Sequence, residues 1–123
     1  MHRTDVAATR VRDTLDALGL LEPVLRFKHG VDTILTADGK PLSESQCCIL
    51  AVARAAVGHP GLLLVDGCLD GLGERDLDRC LAHLLSDDHP WTLIVATARD
   101  EIAERIGRTI SLPETALRNP NTP

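Results

Sequence analysis

The chain has almost no aromatic side chains. Its 123 residues include no tyrosine, one phenylalanine and one tryptophan, Phe27 and Trp91. Aliphatic side chains must therefore build the core, and a hydrophobic fraction of 44% is ordinary for a globular protein. Proteins that bind nucleic acid use basic surfaces and, for single strands, aromatic side chains on which bases stack. A net charge of −5 and the scarcity of aromatic residues therefore argue against nucleic acid as a partner.

Long apolar segments are also missing. A membrane-spanning helix needs about 20 consecutive apolar residues, and no stretch of this sequence approaches that length. The first residues, Met1–Asp5, lack the apolar segment of a signal peptide. The length of 123 residues predicts one domain. Because the sequence has neither a membrane-spanning segment nor the apolar segment of a signal peptide, we expect the domain to be in the cytoplasm and not inserted into a membrane.

Cysteines with metal-binding spacing are absent as well. The four cysteines are Cys47, Cys48, Cys68 and Cys80, and none forms a C-x-x-C pair. We expect small buried thiols. His83 and His89 flank two aspartates at residues 87–88 and offer a metal cluster as an alternative, but their position favours a solvated helix end. We therefore predict no metal site.

Hydrophobic spacing predicts helices in the first half of the chain. Apolar residues recur every three to four positions after Thr4 and Asp5, either of which could cap a helix from about residue 5 to 18, and Gly19 would end it. A short helical pattern follows at residues 20–28, and then a loop rich in glycine, aspartate and proline. Ser43 is a suitable N-cap for a helix that runs to about Val57.

The second half alternates between strand and helix patterns. Leu62–Val65 and Trp91–Ala96 are apolar runs typical of strands that are buried on both faces, and Thr109–Leu112 is a third, shorter candidate. Amphipathic helical segments lie between them, one with Leu77, Leu81, Leu84 and Leu85 and one around Ile102. This alternation predicts an α/β fold with a parallel sheet.

A series of short segments occurs in a recognisable order. They are Gly30–Thr33, Leu42–Gln46, Ala53–Ala55, His59–Pro60, Leu62–Asp66, Leu69–Leu72, Thr92–Arg99 and Thr109–Leu112. In this order and spacing they resemble the second half of the ATPase domain of ATP-binding cassette transporters of the exporter type. Leu42–Gln46 is similar to the signature motif Leu-Ser-Gly-Gly-Gln, and Leu62–Asp66 is similar to the Walker B strand.

The resemblance implies an incomplete P-loop NTPase-like parallel sheet of about three strands, flanked by helices. Residues 1–41 would form a partial helical subdomain and a loop, residues 42–112 the signature helix and the C-terminal part of the ATPase core, and residues 113–123 a flexible tail. In the related fold the P-loop strand lies between the last two strands predicted here. We therefore expect those two strands either to pair directly or to complete their sheet with a partner.

The resemblance also implies where nucleotide would bind. Ser43, Glu44, Ser45 and Gln46 would face ATP held by a partner chain, and Asp66 would be the Walker B aspartate. Mg²⁺ would be bound only together with that ATP, because the chain contains no G-x-x-x-x-G-K-[ST] motif of its own. The partner would be a P-loop-bearing ATPase chain or the missing N-terminal half, together with a transmembrane transporter subunit.

Three positions that are polar in the family are not polar here. Gly67 stands where a catalytic carboxylate orients the attacking water, Gly73 where the D-loop aspartate lies, and Ala98 where the switch histidine lies. No catalytic residue can be assigned, and we expect the chain alone neither to hydrolyse ATP nor to bind it tightly.

Glu44 and Ser45 replace the two signature glycines, and Glu44 has two interpretations. A carboxylate about 5 Å from a phosphate costs about 3 kcal/mol at an effective dielectric constant near 20, which would oppose ATP. An acidic residue in the first turn of a helix also complements the helix dipole, and this is a purely structural role. Ser43 likewise can be a plain N-cap or a nucleotide ligand.

The function that the resemblance implies is that of a degenerate ATP-binding subunit or fragment of an export system. It would present its signature motif to ATP on a partner, in the cytoplasm at the inner face of the membrane. Two alternatives remain open at this point: a non-catalytic interaction module, and a truncated gene product that binds no nucleotide.

Overall fold

The structure is a computed structural model that describes residues 7–113. Within this range the chain forms α1 (Ala8–Ala17), α2 (Leu21–Leu25), a 3-10 turn (Gly30–Asp32), α3 (Glu44–Ala56), β1 (Leu62–Asp66), α4 (Glu74–Leu84), β2 (Thr92–Ala96) and α5 (Asp100–Ile106). The alternation of β1, α4, β2 and α5 confirms the predicted α/β class.

The first helix is shorter than predicted. It begins at Ala8, and Ala7 precedes it in an extended conformation without a side-chain cap. The predicted caps Thr4 and Asp5 lie outside the described residues, and so do residues 114–123 of the predicted tail. Gly19 ends this helical region with a φ of 77°, as expected, because glycine adopts this left-handed conformation without steric strain.

Helix α3 begins where the sequence predicts. Ser43 is its N-cap, and one face buries Ile49, Val52, Ala53 and Ala56. Val57 follows the last helical residue, and His59 has a positive φ of 47° that turns the chain towards β1. The helix therefore connects an exposed N-terminus, which carries the signature-like residues, to the buried interior.

The core is aliphatic, as the composition predicts. The largest fully buried side chains come from the helices and from the loops between elements; they are Leu18, Leu20, Leu69, Leu81, Leu84, Ile102 and Cys80. Burial raises the pKa of Cys80 to about 12, and nearby Asp76 and Cys68 act in the same direction. Cys80 is therefore a protonated thiol at neutral pH and contributes packing only.

The two strands are parallel and in register, with Leu62 opposite Thr92 and Asp66 opposite Ala96. Parallel pairing confirms the prediction, but burial on both faces is wrong. Leu63 is 3% exposed and faces the core, whereas its neighbour Leu64 is 63% exposed, and Ile94 on β2 is 54% exposed. No described element covers the face that carries Leu64 and Ile94, which we call the outer face.

The predicted third strand does not form. Residues 107–113 contain no strand, and Ile110 within them is 79% exposed. A strand requires a neighbour that accepts and donates backbone hydrogen bonds, and the described sheet consists of β1 and β2 only. The expected sheet of about three strands is therefore corrected to two, and direct pairing of residues 109–112 with β2 is not observed.

Candidate functional site

The signature-like segment forms a capping box at the start of α3. The backbone N–H of Gln46 donates to Ser43 Oγ at 3.1 Å, and the backbone N–H of Ser43 donates to Gln46 Oε1 at 2.9 Å. This reciprocal pair satisfies two backbone donors at the helix N-terminus. The structural role predicted for Ser43 as an N-cap is therefore confirmed.

The capping box leaves polar hydrogens available to a ligand. Ser43 Oγ and Gln46 Oε1 both act as acceptors, so the Ser43 hydroxyl hydrogen and the Gln46 Nε2 amide hydrogens are unused by the described residues. Ser43 is exposed, and a helix N-terminus carries partial positive charge. These donors suit an anionic ligand.

Glu44 and Ser45 occupy the first turn beside these donors. The Glu44 side chain is exposed and makes no hydrogen bond or ion pair within residues 7–113, and Ser45 is half-buried. The Glu44 carboxylate is therefore free to move, but it adds negative charge where an anionic ligand would approach. The geometry is compatible with both interpretations of Glu44.

Asp66 lies at the carboxyl end of β1 and is exposed. By the alternation of the strand it belongs to the outer face, together with Leu62 and Leu64. Its side chain has no hydrogen-bond or ion-pair partner in the described part of the chain, and none joins it to the signature-like segment. The structure therefore does not bring Asp66 together with residues 43–46 in one hydrogen-bonded site.

A contact between cysteines does connect α3 to the loop after β1. The thiol of Cys68 donates to the backbone carbonyl oxygen of Cys48 at 3.3 Å. Burial raises the pKa of Cys68 to about 11, with a further contribution from Cys48. The thiol is therefore protonated at neutral pH and acts as a donor, not as a nucleophile. All four cysteines are free, but the prediction of buried thiols holds only for Cys80, because Cys47, Cys48 and Cys68 are half-buried.

Gly67, the residue after Asp66, has a φ of 71°. Its backbone N–H donates to the carbonyl oxygen of Ala96 at 2.9 Å, which ties the end of β1 to the end of β2. Residues with a Cβ rarely adopt this left-handed conformation. A glutamate at this position would therefore be strained, and Gly67 is suited to the turn that the backbone makes here.

Asp70, Thr97 and Arg99 form a polar clasp between the loops that follow the two strands, which was not predicted from the sequence. The Asp70 carboxylate accepts from the Thr97 hydroxyl and from the Ala98 backbone N–H, the latter at 2.9 Å. Arg99 Nη1 donates to the carbonyl oxygens of Asp70 at 3.1 Å and Leu72 at 2.9 Å. Asp70 and Arg99 each lie within four residues of the end of a strand, and this position after neighbouring parallel strands was the available signal.

A second unpredicted group is an aromatic cluster of three histidines around Trp91. His89 stacks on the indole with ring centroids 4.1 Å apart, and His83 lies 4.5 Å from His89. His59 completes the cluster at 5.8 Å from His89. Asp87 and Asp88 are exposed, as expected for a solvated helix end, whereas His83 and His89 are half-buried. Across residues 7–113, no three His, Cys, Asp or Glu side chains are arranged to hold a metal ion.

An apolar cavity of about 230 Å³ lies between the first helices and α3. Its walls include Val11, Leu15, Phe27 and Leu50, and the guanidinium-bearing Arg54 is at its border. The walls are almost entirely apolar, so this cavity has no set of convergent polar groups that would support catalysis.

Comparison with known proteins identifies the relatives of the chain. It is 32% identical over 106 residues to the ATP-dependent lipid A-core flippase of Burkholderia orbicola, which covers 84% of the chain and 17% of the flippase. It is 30% identical over 84 residues to the ABC transporter ALT5 of Alternaria alternata, covering 68% of the chain and 5% of the transporter. The chain is homologous to ATP-binding cassette transporters.

Another relative supports the assignment. The chain is 33% identical over 63 residues to YfiC, an uncharacterized ABC transporter ATP-binding protein of Bacillus subtilis, which covers 49% of the chain and 10% of YfiC. No protein-family model matches the chain. It spans less than a fifth of the length of the ATP-binding cassette relatives it matches. In the described residues, none of the helices is long and apolar enough to cross a membrane.

Proposed function

We propose that the chain is the signature-bearing, C-terminal part of an exporter-type ATP-binding cassette ATPase that has lost its catalytic residues. In this role it presents Ser43 and Gln46 to ATP and Mg²⁺ held by the P-loop of a partner chain. The partner ATPase is attached to a transmembrane transporter subunit, which places this chain in the cytoplasm at the inner face of the membrane. We infer that the assembly is an exporter because the relatives include a flippase.

The observation that carries this proposal is the capping box of α3. It fixes the backbone of residues 43–46 and leaves the Ser43 hydroxyl and the Gln46 amide with unused hydrogens at the exposed positive end of the helix. An ATP phosphate supplied by a partner would meet these donors without rearrangement of the backbone. Glu44 opposes such an approach, and its free side chain must turn away for ATP to bind.

The chain alone is expected to be inactive. Gly67 has no carboxylate with which to orient water, and its positive φ disfavours a residue that would restore one. Asp66 is exposed, and a single carboxylate holds Mg²⁺ weakly without phosphate ligands. ATP hydrolysis by the purified chain, measured as phosphate release, would contradict this part of the proposal.

The experiment measures binding of Mg²⁺ and a non-hydrolysable ATP analogue by titration calorimetry. We compare a P-loop-bearing exporter ATPase alone with the same ATPase mixed with this chain, and expect the mixture to bind the analogue more tightly. Ser43→Asn retains an N-cap but loses the hydroxyl donor, so it should reduce this gain. Glu44→Gln removes the opposing charge and should increase the gain.

A second candidate function is supported by the exposed outer face of the sheet. Parallel sheets are normally covered on both faces, yet Leu62, Leu64 and Ile94 are exposed here. A partner that covered this face would use the chain as a docking module without nucleotide. Equal partner affinity with and without the ATP analogue, unchanged by Ser43→Asn, would favour this function over nucleotide presentation.

A further inference from the structure

The three clustered histidines come from three different segments of the fold, two loops and the end of a helix. His59 lies between α3 and β1, His83 lies in the last turn of α4, and His89 lies in the loop that leads to β2. Because β1 and β2 are parallel, their first residues meet at the same end of the sheet. The cluster therefore connects three parts of the chain: the segment that leads into β1, the segment that leads into β2, and the C-terminal end of α4, the helix between the two strands.

Trp91 is the residue around which the three histidines are packed. Its indole Nε1–H donates to the backbone carbonyl oxygen of Leu84 at 3.0 Å, which fixes the ring at the end of α4. His89 lies flat on this ring, with an interplanar angle of 14°. The Nδ1 atom of His89 is buried and has no hydrogen-bond partner among the described residues. A neutral imidazole tolerates this environment far better than a charged one.

Several charged groups face the histidines. Arg10 and Asp13 of α1, Arg79 of α4 and Asp88 of the following loop line the same cleft as His59, His83 and His89. Burial lowers the pKa of His83, with further lowering by His89 and His59. Burial and His59 also lower the pKa of His89, and the opposing effect of Asp88 is smaller. The net environment therefore disfavours protonation of both rings.

We propose that His83 and His89, packed with Trp91 and next to His59, form a pH-sensitive lock that keeps the segments entering β1 and β2 packed together when these two imidazoles are neutral and loosens them when both are protonated. The His83 and His89 rings are 4.5 Å apart and would repel each other if both were charged. Protonation of His89 would also charge a ring whose Nδ1 atom is buried and has no hydrogen-bond partner among the described residues. This inference does not depend on nucleotide binding and goes beyond the proposed function.

The direction of the pH effect follows from the lowered pKa values. A histidine whose pKa is lower in the folded chain than the ordinary 6.5 contributes full stability above pH 6.5. As the pH falls below 6.5 the unfolded chain takes up protons first, and stability is lost progressively until the folded pKa is passed. The lock is therefore closed at neutral pH and weakened under mildly acidic conditions.

Trp91 provides a direct measurement because the chain contains only one tryptophan. We expect its emission intensity and maximum to change between about pH 7.5 and 5, the range in which histidine titrates. The double substitution His83→Gln with His89→Gln should abolish most of this change. His29 is exposed and lies outside the cluster, so His29→Gln is the matched control and should retain the full change.

Nuclear magnetic resonance titration of the imidazole protons in the wild-type chain gives a second test that does not depend on the folding of any variant. Titration midpoints of His83 and His89 below 6.5 support the lock. The proposal is overturned if both midpoints lie at or above 6.5, or if a folded His83→Gln, His89→Gln chain keeps the wild-type fluorescence change.

Discussion

The two faces of the sheet are built from neighbouring residues, but their surroundings differ. Leu63 and Val65 of β1 face inward and belong to the buried core, together with residues of α3 and α4. Leu62 and Leu64 alternate with them along the same strand and are exposed on the outer face. Asp66 continues the outer row, and its carboxylate has no partner in the described range. The inner face is therefore covered by other residues of the chain, whereas the outer face is not covered by any described residue.

This difference explains how the described residues keep a core although one face of their sheet is exposed. The inner face buries aliphatic side chains, and each buried methylene contributes about 0.8 kcal/mol to stability. The outer face adds little, because its apolar side chains remain in contact with water. The inner face therefore maintains the fold, and the outer face contributes little to it.

The largest expected effect on stability compares the inner and outer faces at two adjacent residues, Leu63 and Leu64. Leu63→Ala should lower the free energy of unfolding by about 2–5 kcal/mol, because it leaves a cavity in the core. Leu64→Ala removes the same atoms from the outer face and should change the free energy of unfolding by less than about 0.5 kcal/mol. Urea denaturation followed by circular dichroism measures both values. Equal losses would show that the outer face is covered in solution.

The inner face was predictable from the sequence, and the outer face was not. The continuous apolar run Leu62–Val65 has no polar residue to mark an exposed side, so it indicated a strand buried on both faces. Thr109–Leu112 has the β-branched residues of a strand, but strand formation requires a neighbour, and local composition does not reveal whether one is present. The helix start at Ser43 was predictable because capping is a local interaction.

The next effect concerns two aspartates, Asp66 at the end of β1 and Asp70 in the loop that follows it. Asp70→Ala removes the acceptor of the Thr97 hydroxyl and of the Ala98 backbone N–H. Loss of these bonds should lower the free energy of unfolding by about 1–3 kcal/mol. Asp66→Ala removes an exposed carboxylate without a described partner and should stay within about 0.5 kcal/mol of the wild-type value. Thermal unfolding of the two variants distinguishes them, and a larger loss for Asp66→Ala would contradict the assignment.

The contacts of the clasp and of the histidine cluster could not be predicted from the sequence. Both sets join residues that are far apart in the chain, such as Asp70 with Ala98 and His59 with His89. Such pairs become neighbours only when the parallel register of β1 and β2 is known. The signature-like segment could be predicted residue by residue because its four positions are consecutive, although its contact with nucleotide stays a prediction.

The smallest effect separates the structural role of the signature-like segment from its proposed ligand role. Ser43→Ala removes the acceptor of the Gln46 backbone N–H and should lower the free energy of unfolding by about 1 kcal/mol. Ser45→Ala, within the first turn, leaves the capping box intact and should not destabilise the chain, because alanine has the higher helix propensity.

Ser43→Asn should restore most of the stability lost in Ser43→Ala, because asparagine is also a good N-cap. Urea denaturation of the three variants measures these differences. If Ser43→Asn has wild-type stability but fails to support binding of the ATP analogue in the mixture with a P-loop ATPase, the hydroxyl acts on the nucleotide. If it supports binding fully, the Ser43 hydroxyl is not required for nucleotide binding, and the outer face of the sheet becomes the stronger candidate for function.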